Sequence, residues 1–349
     1  MNTATTLRIR RPLALAILVT LSGCGGGGGG GGGGGSSDGT PTLAQRIAAA
    51  QSVAQTSADC QQIRPFYWEI GDASGKLVSG SFAGPLLTID ADTVLPIASA
   101  SKWIYGSYVV QSQAGVLSSQ DVKFLNFRSG YTNFSVCGST PADMTVSECL
   151  EREGRDGGTN GEYVPENDGF FVYSGGHMQK HASMNPTLAD LDAAGLATEM
   201  RRVLGTDIAM SYSGPQLAGG VETSASDYAL FLRKILGGTL SYERAALGTH
   251  PVCTDPDTCP QEAKFTPSPT GEQWHYSIGH WVEDDPKVGD GAFSSPGAFG
   301  FYPWIDASKS WYGVVARVSL VSDSDVSVAV DSVRCGREIR AAWLKPNTQ

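Results

Sequence analysis

The chain has 349 residues, of which 41% are hydrophobic and 17% are charged, and its formal net charge is −10 at pH 7. An acidic surface of this kind argues against binding to nucleic acid and against adhesion to anionic lipid through basic patches. Residues 42–349 are enough for one large domain or for two lobes that share an interface.

An export signal occupies the N-terminus. Arg8, Arg10 and Arg11 precede the apolar stretch PLALAILVTL, which is too short to remain as a membrane-spanning helix and ends in LSGC. LSGC resembles the bacterial lipobox, in which cleavage leaves the cysteine as the new N-terminus and a lipid is attached to it. The sequence therefore predicts a lipoprotein signal peptide over residues 1–23 and lipidation of Cys24. A plain secretory signal with an unrelated cysteine is the alternative.

A glycine-rich segment, residues 24–41, follows the signal. It contains unbroken glycine from Gly25 to Gly35 and cannot bury apolar area or hold one conformation, so we expect a flexible tether. The lipid anchor would hold the protein in the cell envelope. Glycine rather than aspartate after Cys24 favours the periplasmic face of the outer membrane.

Hydrophobic periodicity predicts the elements of the remaining chain. A helix over residues 43–58 is followed by two strands around a turn at residues 72–75, and then by a helix that begins near Ser99. Three later strands lie in WHYSIGHWVE, GAFGFYPWID and SWYGVVARVSL, and the closing VSVAVDSVRCGREIRAAWL is an amphipathic helix. This order predicts an α+β fold, in which terminal helices pack on one face of an antiparallel sheet and an all-helical lobe is inserted over about residues 121–240.

Six cysteines remain besides Cys24. An even number in an exported chain indicates disulfides, although six cysteines allow 15 pairings. We expect the local pairs Cys137–Cys149 and Cys253–Cys259, and the long-range pair Cys60–Cys335, which joins the first helix to the last. A zinc site is the competing interpretation, but the chain has no C-x-x-C pair and its five histidines lack finger spacing.

The stretch PIASASKWIYGSYVV places two serines just before a lysine at the start of a predicted helix. Side chains three positions apart share a helix face, so Ser99 faces Lys102 and Ser101 does not. A lysine amine beside a serine hydroxyl, at a helix N-terminus whose dipole favours developing negative charge, activates a weak nucleophile. Such spacing also arises by chance, so a solvated lysine with an unrelated serine cap is the alternative.

Three stretches, LPIASASKW, FFVYSGGHMQ and FSSPGAFGFYPWID, together with the order of elements, resemble the serine β-lactamase and DD-peptidase superfamily. The resemblance is greatest to its class C-like branch of lipoproteins and esterase-type serine hydrolases, and it covers about residues 64–344. It implies a β-lactamase/transpeptidase-like fold, with Ser99 as the nucleophile and Lys102 as its base.

The second family motif is a tyrosine, a small residue, and then asparagine or glycine. FFVYSGGHMQ supplies Tyr173, Ser174 and Gly175 for it. A phenolate held near a lysine can take a proton from the serine or return one to the leaving group. A second Tyr-Ser-Gly begins at Tyr212, but that stretch resembles a later family segment leading into a helix that contains Asp227. We therefore expect Tyr173 to be the catalytic tyrosine.

The third family motif lies on a strand beside the nucleophile and usually begins with lysine, histidine or tryptophan. Here it aligns with Ser295, Pro296 and Gly297, which is a departure, because Ser295 is neutral and Pro296 has no N–H. By analogy with the family, the backbone amides of Ser99 and Ala298 would form the oxyanion hole.

No histidine of this chain lies in a sequence motif that indicates a catalytic role. His275 and His280, in WHYSIGHWVE, could each replace the missing cation, although packed or rim histidines are the commoner case. Ser-His-Asp catalysis is poorly supported because the chain has no G-x-S-x-G.

These features predict a lipid-anchored envelope serine hydrolase that acts on a small-molecule ester or amide through an acyl-enzyme, without a metal or other cofactor. The neutral third motif favours an esterase-like preference over substrates with a carboxylate. One alternative is a DD-peptidase or β-lactamase that acts on peptidoglycan or β-lactams. Another is a catalytically idle binding lipoprotein of the same fold. The oligomeric state stays open.

Overall fold

The computed structural model describes residues 40–85, 87–137, 141–267, 271–319 and 327–346. The predicted signal peptide (1–23), the lipidation site Cys24 and nearly all of the tether (24–41) lie outside the described residues. From Pro41 onward the chain forms one compact unit. Among the described helices, none combines the length and the apolar character needed to cross a membrane.

Ten α-helices lie within the described residues: α1 Leu43–Thr56, α2 Ala58–Gln62, α3 Ser101–Ser112, α4 Ser119–Leu125, α5 Val146–Leu150, α6 Gly176–Ser183, α7 Ala193–Leu204, α8 Ala225–Leu236, α9 Ser241–Ala246 and α10 Ser327–Leu344. The strands of the same part of the chain are β1 Phe66–Asp72, β2 Gly75–Phe82, β3 Leu95–Pro96, β4 Phe171–Val172, β5 Met210–Tyr212, β6 Val221–Thr223, β7 Val252–Cys253, β8 Ala263–Phe265, β9 His275–Ser277, β10 His280–Glu283, β11 Ala292–Ser294, β12 Tyr302–Ile305 and β13 Trp311–Ala316.

One antiparallel sheet unites the two ends of this unit. Its order is β2-β1-β13-β12-β11-β10-β9-β7, so β2 pairs with β1, and β1 pairs with the last strand, β13. Trp68 of β1 lies opposite Val315 of β13, and Trp304 of β12 lies opposite Gly313. The α+β fold with an antiparallel sheet is confirmed.

Helices cover both faces of the sheet. Trp311 and Tyr312 are consecutive in β13, so their side chains point to opposite faces. The ring of Trp311 lies 6.0 Å from that of Trp343 in α10. The Tyr312 hydroxyl accepts a hydrogen bond from Arg233 of α8 at 2.9 Å. Because α1 packs against α10, the two terminal helices share one face, as predicted, and α8 covers the other.

Helix α3 occupies the centre of the unit. Every residue from Ser101 to Val110 is buried. The helix contacts α7 and α9 on one side and β10 of the sheet on the other. Its N-terminus, and therefore Ser99, lies where the inserted helical region meets the sheet.

The structure contains the three predicted disulfides. Cys60–Cys335 joins α2 to α10 across 275 residues of sequence, whereas Cys137–Cys149 and Cys253–Cys259 close loops of 12 and 6 residues. Since all six cysteines are bonded in pairs, none is available as a zinc ligand. Within the described residues, no group of three or more His, Cys, Asp or Glu side chains is placed to hold a metal ion.

Several predicted elements are wrong in detail. Contrary to the prediction, the inserted region over about residues 121–240 is not all-helical, because it also contains the short strands β4, β5 and β6. The first helix ends at Thr56 rather than residue 58, because Ser57 is extended and its side chain caps α2 by accepting from the N–H of Cys60. WHYSIGHWVE is a hairpin of β9 and β10, and not one strand, since Ile278 and Gly279 form a tight turn with φ values of 42° and 87°. This turn lies against Gly106 of α3, where a Cβ would collide with the carbonyl oxygen of Ile278.

Candidate active site

Ser99 lies in a single 3-10 turn, Ala98–Ala100, that leads directly into α3. Ala98 has a φ of 45°, in the left-handed region that residues with a Cβ rarely adopt. The chain therefore turns sharply just before Ser99. Ala98 and Ala100 are buried, whereas Ser99 is partly exposed, so Ser99 is the residue of the turn that solvent can reach.

Lys102 contacts Ser99 directly. Its Nζ lies 2.9 Å from Ser99 Oγ and 2.9 Å from the carbonyl oxygen of Ala218, and the residue is only 5% exposed. Burial lowers the pKa of Lys102 to about 7. At neutral pH much of this lysine is a neutral amine, which can accept a proton from Ser99.

Ser101 makes a structural contact instead. Its side chain is fully buried, and its Oγ accepts a hydrogen bond from the N–H of Val221 at 3.1 Å. This bond ties the start of α3 to β6. The structure thus brings Ser99, and not Ser101, to Lys102, in the arrangement that helix geometry predicts. The catalytic roles themselves stay predictions.

Tyr173 completes the group. It follows β4, and its ring stacks on Trp281 of β10 with centroids 5.3 Å apart. Lys102 Nζ lies 4.8 Å from the centroid of the Tyr173 ring. Burial raises the pKa of the Tyr173 hydroxyl to about 12, against hydrogen bonds with Ser99 and Trp281 that lower it. Tyr173 is therefore a neutral phenol at neutral pH, and not a phenolate, so it can donate or relay a proton.

The second Tyr-Ser-Gly stretch does not line the Ser99 cavity. Tyr212 ends β5, where it pairs with Val221 of β6. It is buried, and its hydroxyl has no hydrogen-bond partner in the part of the chain that the structure describes. Tyr173, rather than Tyr212, is the tyrosine that lies beside Ser99 and Lys102.

The third motif directly follows β11 and does not lie on a strand, contrary to the prediction. The hydroxyl of Ser295 donates a hydrogen bond to the carbonyl oxygen of Ser99 at 3.0 Å, and Ser295 is 2% exposed. That hydroxyl is therefore turned toward the protein and away from any substrate. A Cβ at Gly297 would collide with the carbonyl oxygen of Ile97, so the close approach to the nucleophile turn requires glycine.

Ala298, the second expected oxyanion donor, lines the same cavity as Ser99 and is exposed. No acceptor for its N–H occurs among the described residues. This geometry is compatible with an oxyanion hole formed by the amides of Ser99 and Ala298, which stays a prediction.

Neither histidine of WHYSIGHWVE replaces the missing cation. His280 is fully buried, stacks on Trp103 with ring centroids 5.5 Å apart, and has a pKa that burial lowers to about 3. His275 pairs with Asp284, whose hydrogen bond raises the histidine pKa, at an Nδ1–Oδ2 distance of 2.9 Å. Both are packing or rim histidines outside the lining of the Ser99 cavity.

Ser99 opens into a cavity of about 600 Å³ between the helical lobe and the loop after β11. Lys102 and Arg155 are the charged residues in its lining, as far as the structure describes the chain. A smaller chamber of about 100 Å³ also reaches Ser99 and Tyr173, and Pro296 and Ala329 contribute to its mostly apolar wall. Ser99, Tyr173 and Ala298 line both chambers.

Sequence reasoning missed the lobe side of this cavity. Phe134, Gln216 and Arg155 all line it, and no motif marks any of them. They lie on loops whose course depends on long-range contacts, such as the hydrogen bond from the Cys137 N–H to Gln216 Oε1 at 2.9 Å. Arg155 therefore brings an arginine into the site from a distant part of the chain.

No family model matches the chain, and no curated protein matches it in sequence. Solved structures do match it. Simvastatin synthase (LovD) from Aspergillus terreus has a TM-score of 0.57 and 13% identity, over 86% of this chain and 99% of that one. EstCE1, described as a hydrolase with promiscuous acyltransferase activity, has a TM-score of 0.56 and 12% identity, over 86% and 99%. A candidate β-lactamase from Bacteroides dorei DSM 17855 has a TM-score of 0.55 and 18% identity, over 80% and 93%.

These matches span nearly the whole length of the similar structures. At this level of identity they establish the arrangement of the chain and not its chemistry. The sequence motifs and the matches nevertheless agree on the fold. The chain therefore has the fold of the serine β-lactamase and transpeptidase-like superfamily, as its motifs predicted.

Proposed function

We propose that this protein is a serine hydrolase that cleaves an ester or amide bond through an acyl-enzyme on Ser99. One observation carries the proposal: Ser99 Oγ lies 2.9 Å from the Nζ of buried Lys102 in the wall of a cavity that a substrate can enter. A neutral amine in contact with a hydroxyl is the arrangement that general-base activation of a nucleophile needs.

In the acylation step, Ser99 Oγ attacks the carbonyl carbon while Lys102 accepts the hydroxyl proton. The carbonyl oxygen becomes an oxyanion, which the N–H groups of Ser99 and Ala298 would stabilise. As the bond to the leaving oxygen or nitrogen breaks, the proton passes through the neutral Tyr173 hydroxyl to that atom, and an alcohol or amine departs. Water then attacks the ester of Ser99 with the same groups moving the proton, which releases the acid and restores Ser99.

The third motif supports a preference for neutral substrates near the scissile bond. A carboxylate that leaves water needs a fixed cation or several donors to replace its hydration. Ser295 offers neither, because its hydroxyl already donates to the carbonyl oxygen of Ser99. Short-chain esters or amides without a charge next to the scissile bond are therefore the proposed substrates, in preference to β-lactams and to peptides that end in free D-alanine.

The comparisons support a hydrolase but not a particular substrate. EstCE1 is described as a hydrolase with acyltransferase activity, and another similar structure, from Bacillus anthracis, is a candidate 6-aminohexanoate-dimer hydrolase with 15% identity and a TM-score of 0.54. These are properties of those proteins. They support ester or amide carbonyl chemistry for this fold.

A lipid-anchored location in the cell envelope is part of the proposal. LSGC before the glycine tether supports it, and three disulfides are typical of an exported protein. The rival is a binding lipoprotein of the same fold without catalysis. Hydrolysis of p-nitrophenyl butyrate by the wild-type protein and not by Ser99→Ala would support the enzyme, whereas folded wild-type protein without turnover of any ester or amide would favour the rival.

A further inference from the structure

The cavity around Ser99 is lined by an arginine that the proposed reaction does not use. Arg155 belongs to the helical lobe and contributes to the cavity lining. The chain carries 35 acidic residues against 25 lysines and arginines, yet no aspartate or glutamate lines this cavity in the described part of the chain. The cavity therefore has the opposite charge to the protein as a whole.

Arg155 is exposed, and within residues 40–346 as described its guanidinium has no ion pair or hydrogen bond. Other arginines of the chain bind carboxylates of the protein. Arg202 lies 2.7 Å from Glu199, and Arg337 lies 2.9 Å from Glu283. Arg155 differs from these in that its donors have no partner among the described residues and the residue lines the cavity that contains Ser99.

The backbone around Arg155 is held by one buried side chain. Asn133, which is 5% exposed, accepts a hydrogen bond from the N–H of Asp156 at 2.8 Å. Its Nδ2 donates to the carbonyl oxygens of Gly157 at 2.6 Å and of Thr159 at 3.3 Å. The guanidinium therefore extends from a fixed loop, which reduces the entropy lost when it binds a ligand.

The disulfide Cys137–Cys149 stabilises the part of the cavity wall that contains Arg155. Asn160 donates to the carbonyl oxygen of Cys149 at 2.9 Å and accepts from the N–H of Ser135 at 2.7 Å. Ser135 and Val136 line the cavity together with Arg155. The loop that carries Arg155 is thus fixed by hydrogen bonds and a disulfide and forms part of the cavity wall.

We propose that Arg155 binds a carboxylate of the substrate at a position remote from the bond that Ser99 cleaves. This inference rests on the proposed function and narrows its substrate class. A guanidinium offers two parallel N–H donors that match the two oxygens of a carboxylate. The single positive charge of the Arg155 guanidinium balances the single negative charge of a carboxylate. It would balance only half the charge of a phosphate dianion, because Lys102 serves as the base and is not a second cation.

The remote position follows from the third motif. The carboxylate of a β-lactam lies close to its scissile amide, where Ser295 and Pro296 provide no cation. Arg155 lies on the lobe wall instead, so the matching substrate carries its carboxylate at the far end of the acyl group or of the leaving group. Substrates that are neutral at the reacting centre and anionic at one end satisfy both parts of the site.

Binding to a Ser99→Ala variant tests Arg155 without relying on turnover. The ligands are N-phenyladipamic acid, with a carboxylate at the acyl end, 4-hexanamidobenzoate, with one on the amine side, and neutral N-phenylhexanamide as the reference. We expect calorimetry to show one of the two acids binding about tenfold more tightly than the reference, as for a partly screened charge-assisted pair. Adding Arg155→Gln should remove that preference, and Arg155→Lys should restore part of it.

Arg152→Gln is the matched control, because Arg152 is an exposed arginine of the same loop that does not line the cavity. It should leave the preference unchanged. Equal binding of all three ligands to the Ser99→Ala protein, no binding by any, or an equal loss in the Arg152 and Arg155 variants would overturn the proposal.

Turnover separates this inference from the proposed function. With Ser99 intact, Arg155→Gln should lower kcat/KM for mono-p-nitrophenyl adipate, or for 4-hexanoyloxybenzoate, about tenfold, and should change that for p-nitrophenyl hexanoate less than twofold. An equal loss on all esters would overturn the role of Arg155. Wild-type protein that binds the acids through Arg155 but hydrolyses no ester would contradict the proposed function alone.

Discussion

The hydroxyl of Ser295 donates a hydrogen bond to the main-chain carbonyl oxygen of Ser99 at 3.0 Å. The first residue of the third motif therefore supports the turn that carries the nucleophile. In the β-lactamases and DD-peptidases that this chain resembles, a cation at that position faces the substrate carboxylate. In this chain Ser295 contacts the main chain of Ser99 instead of a substrate carboxylate.

Substrate choice should reflect this change. We expect kcat/KM for p-nitrophenyl butyrate to exceed that for a chromogenic cephalosporin by about a hundredfold or more, because a buried carboxylate without a partner is costly. The two values are measured on the same preparation at one ionic strength. Efficient hydrolysis of the cephalosporin would contradict the esterase-like preference and would make Arg155 the replacement cation.

Lys102→Met should abolish hydrolysis and yet stabilise the fold. Burial lowers the pKa of Lys102 to about 7, so at low pH the unfolded chain binds a proton that the native state holds poorly. The loss of stability caused by burying the lysine is complete below pH 7 and declines as the pH rises toward the ordinary lysine pKa. We expect the variant to gain about 1–2 kcal/mol in free energy of unfolding at pH 6 and less at pH 9. Urea denaturation at the two pH values measures this.

Wild-type kcat/KM provides the second readout for Lys102. Only the neutral amine can accept the Ser99 proton, so the rate should rise with pH and level off above about 7. A profile that keeps rising to pH 9 without levelling off, or a Lys102→Met variant that is less stable at pH 6 than the wild type, would show that the native structure does not lower the pKa of Lys102. A profile that stays flat between pH 5 and 9 would contradict the role of Lys102 as the base.

Tyr173→Phe should slow ester hydrolysis by about two to four powers of ten, the usual effect of removing a proton-transfer group. Tyr212→Phe is the matched control, since Tyr212 is also a buried tyrosine followed by Ser-Gly but does not line the cavity. It should retain nearly full activity. If the Tyr173 variant kept the wild-type rate, proton return to the leaving group would belong to another residue or to water.

The disulfide Cys60–Cys335 should be the most stabilising of the three. It closes 275 residues, for which the chain-entropy model gives about 6 kcal/mol, against about 2 kcal/mol for the 6-residue loop of Cys253–Cys259. Double serine variants of each pair, compared by chemical denaturation, should show that order. Peptide mapping of unreduced protein that finds Cys60 or Cys335 as a free thiol would refute the pairing.

The sequence determines some parts of this site locally and others not at all. Ser99 and Lys102 are one helical turn apart, so their contact follows from spacing. Tyr173 is 71 positions beyond Lys102 and could be assigned only by resemblance to a family motif. Arg155 could not be predicted, because its place depends on Asn133 and on a disulfide that fixes the path of the loop.

Only part of the fold could likewise be predicted from the sequence. The antiparallel sheet and the terminal helices could be predicted from periodicity and element order. The β9–β10 hairpin could not, because its turn places Ile278 at a φ of 42°, and a β-branched residue there contradicts ordinary turn preferences. Contact with α3 selects that conformation, and such a contact is not visible in local sequence.

Covalent labelling tests directly whether Ser99 is the nucleophile. Wild-type protein is treated with a fluorophosphonate at pH 8, digested, and sequenced by tandem mass spectrometry, with Ser99→Ala and Ser101→Ala treated in parallel. We expect one adduct per chain on Ser99, the same adduct in the Ser101 variant, and none in the Ser99 variant. Labelling of Ser101 or of another residue in the wild type, or unchanged labelling of folded Ser99→Ala, would contradict the assignment of Ser99 as the nucleophile.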